Sequence, residues 1–124
     1  MRSHELGERG EAAAAEFLQS AGLAILDRNW HCEAGELDIV ALDGEIIVIV
    51  EVRTRSSDAY GTPEESLTPR KCRHLRNAAL AYLQEKDRLD AVWRIDVVAI
   101  DADRRGDVQR IEHYVNAIEG ERES

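Results

Sequence analysis

The sequence contains few of the residues that build disulfide-linked, membrane-spanning or base-stacking proteins. Its 124 residues include two cysteines, two prolines, six aromatic residues and two lysines beside 14 arginines. Cys32 and Cys72 lack the CxxC spacing, which argues against a disulfide framework or a structural zinc site. The longest aliphatic run covers residues 46–50, far too few for a membrane span. The first residues carry no apolar signal-peptide core.

The remaining composition is typical of one soluble domain with a real hydrophobic core. Hydrophobic residues make up 44% of the chain and charged residues 33%, which excludes global disorder and indicates a densely charged surface. A chain of this length buries enough apolar surface to fold without disulfides or a structural metal. We expect one domain over residues 1–118, a polar tail over residues 119–124, and a cytoplasmic location.

Charge is distributed unevenly along the chain. The formal net charge is −9, which argues against non-specific affinity for a polyanion. Residues 53–76 nevertheless carry six basic and three acidic side chains, a local charge of +3, so the remainder carries −12. This pattern fits either a basic patch for nucleic acid or an ordinary solvated helix face.

Apolar spacing and turn residues predict the secondary structure. Helices are predicted over residues 5–21, ended by Gly22, and over residues 69–85, where Thr68 precedes Pro69. A capping box opens a further helical start at residues 62–65. Strands are predicted at residues 23–26 (extending toward Trp30), 36–42, 45–52, 92–100 and 108–115. The order α-β-β-β-α-β-β indicates an α/β domain with a mixed sheet flanked by helices.

The central hairpin places three carboxylates together. With Asp43 and Gly44 as a two-residue turn, Leu42 pairs with Glu45, and Asp38 lies opposite Ile49. Alternation then predicts one wholly apolar face. Its members are Leu37, Ile39, Ala41, Ile46, Val48, Val50 and Val52. The other face carries Glu36, Asp38, Val40 and Leu42 from one strand, and Glu45, Ile47, Ile49, Glu51 and Arg53 from the other.

Two interpretations of these carboxylates remain open. Asp38 and Glu51 are diagonal neighbours, about 7 to 8 Å apart at their Cβ atoms, and like charges at that spacing call for a cation or a raised pKa. Oxygen ligands of this kind suit Mg²⁺, with a backbone carbonyl near Val50 as a further ligand. The alternative is a solvent-facing strand end in which Glu36 and Arg53 form a weak surface ion pair.

The whole ordered set of motifs resembles a known nuclease superfamily. Residues 35–41 read GELDIVA, and residues 50–55 read VEVRTR, with 13 residues from Asp38 to Glu51. Matching segments also occur at residues 7–22, 28–30, 61–63, 71, 94–98 and 116–117. This set is similar to the PD-(D/E)xK superfamily, and within it to the bacterial YraN family, which resembles archaeal Holliday-junction resolvases. The resemblance covers residues 5–118 and implies a restriction-endonuclease-like fold.

The resemblance implies roles for five residues. Asp38 and Glu51 correspond to the metal-binding acids, for Mg²⁺ or Mn²⁺. Glu11, on the first helix, corresponds to the glutamate that completes such sites as a metal or water ligand, although it also reads as one more exposed helix glutamate. Glu36 resembles an auxiliary acid behind the ligands. Arg53 stands where the active motif has lysine.

The same resemblance implies a nucleic-acid partner. It suggests hydrolysis of DNA phosphodiester bonds, with branched DNA as the candidate substrate and a homodimer as the candidate assembly. Basic residues that would contact the phosphate backbone are Arg55, Arg70, Lys71 and Arg73, with His74 on the same helix.

Arg53 leaves the activity open. Lysine can lose its proton and help to activate water, whereas arginine stays charged. Arg53 therefore keeps the electrostatic part of the role, phosphate binding, and removes proton transfer. The alternatives to a nuclease are an inactive nucleic-acid-binding module or a protein-interaction domain on the same scaffold, and the net charge favours the latter.

Other polar residues indicate no second active site. His4, His31, His74 and His113 are scattered along the chain, and none of them is expected to bind a metal. Asp96 lies within an apolar strand, where a buried aspartate needs a partner such as Arg94 or a backbone donor.

Overall fold

The computed structural model describes residues 3–56 and 67–118, which form two helices and five strands. The predicted order α-β-β-β-α-β-β is confirmed, and the bounds differ from the prediction by a few residues at most ends. The predicted capping box at residues 62–65 and the tail at residues 119–124 lie outside the described residues. The elements are α1 (Ser3–Ser20), β1 (Ala24–Cys32), β2 (Gly35–Asp43), β3 (Ile46–Ser56), α2 (Pro69–Glu85), β4 (Trp93–Ala102) and β5 (Val108–Tyr114).

The strands form one mixed sheet between the two helices. Their spatial order is β1-β2-β3-β4-β5; β3 and β4 are parallel, and the other neighbouring pairs are antiparallel. Helix α1 packs on one face over a cluster that includes Leu18, Ile39 and Val50. Helix α2 packs on the other face, where its Leu83 joins a buried cluster that includes Ile49 of β3. Both faces of the central strands are therefore buried, as continuous apolar runs require.

The capping residues set where α2 begins. The Thr68 side chain accepts a hydrogen bond from the Lys71 backbone N at 3.2 Å, and Pro69 occupies the first turn, where its missing N–H has no cost. The side of α2 that faces the sheet is buried at Leu75, Ala78, Ala79, Tyr82 and Leu83, and Cys72 is half-buried. No helix in the described ranges is long and apolar enough to cross a membrane.

The hairpin register differs from the prediction by two residues. Asp43 pairs with Ile46, so Gly44 and Glu45 form the turn. Gly44 has a φ of 61°, the pattern of a type II′ turn with glycine first. Asp43 stays in the strand because its carboxylate accepts a hydrogen bond from Arg94 Nη2 at 3.1 Å, a tertiary contact that local turn preferences do not contain.

Alternation along β2 breaks near Asp38, so the predicted apolar face was wrong at one position. Leu37 packs in the α2-side cluster together with Val40, whereas Ile39 packs on the α1 side. The backbone pairing of β2 with β3 reaches only as far as Ile39 and Val50. Beyond this pair, the Val52 backbone N donates to Asp38 Oδ2 at 2.8 Å. A side chain thus takes the place of a strand partner, and the two strands separate at this end.

Asp96 is a fully buried charge that is completely paired, as the sequence predicts. Its side chain has 0% exposure. Its carboxylate accepts hydrogen bonds from Arg94 Nε at 3.0 Å and from the Asn116 backbone N at 2.8 Å. His113 Nε2 lies 2.8 Å from its other oxygen. This network joins β4, β5 and the segment that follows β5, which makes Asp96 a structural residue.

Replacing Asp96 by asparagine should destabilise the fold strongly. The change removes the buried carboxylate charge beside the Arg94 guanidinium, whose side chain is 16% exposed and keeps only the half-exposed Asp43 as an ion-pair partner. Breaking a buried pair costs about 3 to 5 kcal/mol. The free energy of unfolding from urea titration measures the effect. The exposed Asp90 provides the control, since Asp90→Asn should change stability by less than about 0.5 kcal/mol. Equal stability of the two variants would contradict this role for Asp96.

Gly10 sets the distance between α1 and the sheet. A Cβ atom at this position would lie 1.9 Å from Thr54 Oγ1, so Gly10→Ala must displace either the Thr54 side chain or the helix that carries Glu11. We expect it to lower the free energy of unfolding by about 1 to 3 kcal/mol. Gly7 of the same helix has no atom within 4 Å of its Cβ position, so Gly7→Ala should stabilise by up to about 1 kcal/mol. Chemical denaturation distinguishes them, and a stabilising Gly10→Ala would refute the close packing.

Candidate active site

The separated end of β2 and β3 presents a pair of hydrogen-bonded carboxyl groups. Continuing the strand register beyond Ile39 and Val50 brings Asp38 opposite Glu51, rather than opposite Ile49 as predicted. The Glu51 side chain is 16% exposed. Burial, the Asp38 charge and a hydrogen bond with the Asp38 side chain together raise the pKa of Glu51 to about 8. Glu51 therefore keeps its proton through most of the neutral range when no cation is bound beside it.

Arg53 partly neutralises this pair. Its Nη2 lies 3.0 Å from Glu51 Oε2, and its side chain is 24% exposed. The arginine charge lowers the pKa of Glu51, but less than burial and Asp38 raise it. Arg53 Nε is buried and has no hydrogen-bond partner. The guanidinium thus pairs with Glu51 through Nη2 and keeps an unsatisfied N–H donor at Nε.

Glu11 reaches the same region from α1. Burial raises the pKa of Glu11, and the charges of Asp38 and Glu36 raise it further, while Arg28 and a hydrogen bond from Asn29 lower it. Because the charges of Asp38 and Glu36 act on Glu11, α1 carries this glutamate near the end of the sheet where these two acids lie.

Asn29 is a site residue for which sequence reasoning assigned no role. With its amide oriented to satisfy both neighbours, Asn29 Nδ2 donates to Glu11 Oε1 at 2.7 Å and to Glu36 Oε1 at 3.2 Å. Its backbone has a φ of 53°, a left-handed conformation that asparagine tolerates better than most residues. The only signal in the sequence was its place in the matching segment at residues 28–30.

Two clefts meet at this end of the sheet. The larger, which we call the α1 cleft, has a volume of about 780 Å³ and is lined by Glu11, Asn29 and Glu36 among others. The smaller, the α2 cleft, has a volume of about 280 Å³ and is lined by Glu36, Glu51 and Arg53, together with side chains of α2. Glu36 borders both, which places this exposed residue beside the carboxyl pair.

The basic residues fall into two groups. Arg55 donates from Nε to Asp101 Oδ1 at 2.8 Å and is about three-quarters buried, so it joins β3 to β4. The others are exposed on α2, and these are Arg70, Lys71, Arg73 and His74. The exposed basic surface is therefore a property of the helix, and Arg55 stands apart from it.

The site offers few protein ligands for a divalent cation. No group of three or more His, Cys, Asp or Glu side chains within residues 3–56 and 67–118 is arranged to hold a metal ion. Mg²⁺, however, is usually held by only one or two carboxylates together with water and substrate phosphate. Asp38 and Glu51 fit that requirement, and a hard cation would also relieve the repulsion between them.

The sheet between two helices, with acids where β2 and β3 separate, defines the restriction-endonuclease-like class of α/β domains. Residues 10–100 match the model of the uncharacterised protein family UPF0102. A UPF0102 protein of Pelotomaculum thermopropionicum is 48% identical over 112 residues, covering 90% of this chain and 93% of its own. Another, of Geobacter sulfurreducens, is 48% identical over 114 residues, covering 92% and 88%. The chain belongs to UPF0102, the YraN family that its motifs resemble.

The raised pKa of Glu51 predicts a pH dependence of stability. The folded state favours the protonated acid, so its stabilising contribution is complete below the ordinary pKa of 4.5 and is lost as the pH rises to about 8. In EDTA, the wild-type melting temperature should therefore fall relative to that of Glu51→Gln between about pH 5 and about pH 8.5. Glutamine keeps the shape without ionising. A constant difference between the two proteins over this range would contradict the shift.

Proposed function

We propose that this chain is a metal-dependent nuclease that hydrolyses DNA phosphodiester bonds, with branched DNA among its substrates. The observation that carries the proposal is the hydrogen-bonded pair of Asp38 and Glu51, half-buried where two strands separate. A carboxyl pair of this kind destabilises a protein unless a proton or a cation neutralises it. A binding role for a divalent cation explains why the fold keeps both acids there.

Four residues would bind the metal ion, the phosphate or the attacking water. Asp38 and Glu51 supply the oxygen ligands of Mg²⁺ or Mn²⁺. The bound ion would polarise the phosphate and lower the pKa of water. Arg53, held by Glu51 at 3.0 Å, faces the same cleft and binds a phosphate oxygen through its remaining donors. Glu11, held by Asn29 at 2.7 Å, has a raised pKa and accepts a proton at Oε1 or Oε2 from water.

Cleavage assays with single-stranded, duplex, flap and four-way-junction DNA test the proposal. Each substrate is incubated with Mn²⁺, Mg²⁺ or EDTA. The wild type should cut in a metal-dependent manner, and Asp38→Asn should lose at least about 100-fold in rate, since it removes a ligand charge. Asp38→Asn should also lose metal binding in calorimetry while keeping its fold. Asp38→Asn, purified in parallel, also controls for contaminating nucleases, whereas a change at the exposed Asp90, Asp90→Asn, should match the wild type.

Two results would refute the assignment. One is full metal affinity in Asp38→Asn, which would place the cation elsewhere. The other is wild-type protein that neither cuts DNA nor binds Mn²⁺.

A nucleic-acid-binding module without catalysis is the second candidate, and the Arg53–Glu51 ion pair favours it. Arg53 cannot give up its proton, and its contact with Glu51 supplies a charge where a cation would otherwise be needed. This candidate predicts salt-sensitive DNA binding in EDTA without cleavage in any metal. Arg53→Lys would then leave the protein inactive, whereas a nuclease should tolerate or gain from that change.

A further inference from the structure

The α2 cleft has walls of opposite charge. On the sheet side are Glu36 and Glu51, and on the helix side are Lys71 and His74, one turn apart on α2. The charge of Lys71 reaches Glu51 and lowers its pKa. Arg70 and Arg73 are exposed on the same helix but do not line this cleft. The helix therefore carries one lysine toward the acids and two arginines away from them.

The basic side chains of β3 are already engaged in ion pairs. Arg53 lies 3.0 Å from Glu51, and Arg55 lies 2.8 Å from Asp101. Lys71, by contrast, forms no ion pair within residues 3–56 and 67–118. An anion that enters the cleft thus meets one uncommitted ammonium group opposite the carboxyl pair.

The first turn of α2 adds to this attraction. Lys71 is in that turn, where backbone N–H groups give the helix end a partial positive charge. The Thr68 hydroxyl accepts from the Lys71 backbone N at 3.2 Å, which holds the turn and its lysine in place. A phosphate group bridging Lys71 and a cation on Asp38 and Glu51 would satisfy charges on both walls.

We propose that Lys71 holds the reacting phosphate against the carboxyl pair, so that α2 supplies the amine that Arg53 does not, while Arg70 and Arg73 bind only the flanking backbone. The inference rests on the proposed function, because it assigns the phosphate-positioning residue of that same site. It predicts that Lys71 and its neighbour Arg73 affect different kinetic quantities. Loss of Lys71 should change the rate at saturating DNA, and loss of Arg73 should change the affinity.

The experiment compares Lys71→Met, Lys71→Arg and the matched control Arg73→Met. Single-turnover cleavage in Mn²⁺ should be slowed about 100-fold by Lys71→Met at saturating DNA, a typical cost of removing one charged transition-state contact. Arg73→Met should weaken binding by about three- to tenfold and should slow that rate far less than Lys71→Met does. Lys71→Arg should restore much of the rate, because it keeps the charge. Thermal unfolding of all three proteins confirms that each is folded.

A second measurement keeps the inference testable without cleavage. Ca²⁺ commonly supports DNA binding without turnover, so fluorescence polarisation of a labelled DNA strand with Ca²⁺ or EDTA gives the metal-dependent gain in affinity. Lys71→Met should lose this gain, and Arg73→Met should keep it. If the wild type shows the gain but never cuts, and only Lys71→Met loses it, the position of Lys71 stands and the nuclease proposal fails.

Two outcomes overturn the inference. In the first, Lys71→Met behaves like Arg73→Met in both rate and metal-dependent binding, so that the lysine is one more backbone contact. In the second, the wild type shows neither cleavage nor a metal-dependent gain, which would remove the proposed function together with the inference.

Discussion

The hydrogen bond from the Val52 backbone N to Asp38 Oδ2 at 2.8 Å is the interaction on which the candidate site depends. It replaces a backbone contact between β2 and β3 just beyond the last regular pair, Ile39 and Val50. The strands therefore separate without leaving that buried N–H unsatisfied, which would cost about 1 to 3 kcal/mol. The Asp38 side chain also interacts with the Glu51 side chain, so the residue that fills the gap between the separated strands is itself a member of the acidic pair.

The acids of the candidate site are not fully neutralised by the basic residues around them. Burial and the Asp38 charge raise the pKa of Glu51 to about 8 against the opposing effects of Arg53 and Lys71. The pKa of Glu11, which α1 carries on the other face of the sheet, is raised as well. The fully buried Asp96, by contrast, is completely paired, by Arg94, His113 and the Asn116 backbone N. A region that keeps unneutralised acids in a protein that can pair them is more typical of a binding site than of a structural one.

Local pattern predicted most of the fold. Apolar spacing, the Thr68–Pro69 helix start and the β-branched strands gave the correct order of seven elements, because each depends on residues close in sequence. Two errors arose where a distant residue decides the outcome. Arg94 contacts Asp43 where the hairpin turn lies one residue later than predicted, which shifts the strand register by two residues, and the break at Asp38 moves Leu37 to the other face. A register shift of two residues does not by itself turn a strand over, so Asp38 and Glu51 still lie close enough to interact.

The sequence by itself determined which residue types are available: three acids and an arginine along one hairpin, a glutamate on the first helix and a basic start to the second. It also determined the family, through motifs spread over most of the chain. Only the tertiary structure decided which of these groups share a space. It added Asn29 as the bridge between Glu11 and Glu36, engaged Arg55 with Asp101 and brought Lys71 to the cleft of Glu51. Such contacts join residues far apart in sequence, and their geometry depends on how α1 and α2 pack on the sheet.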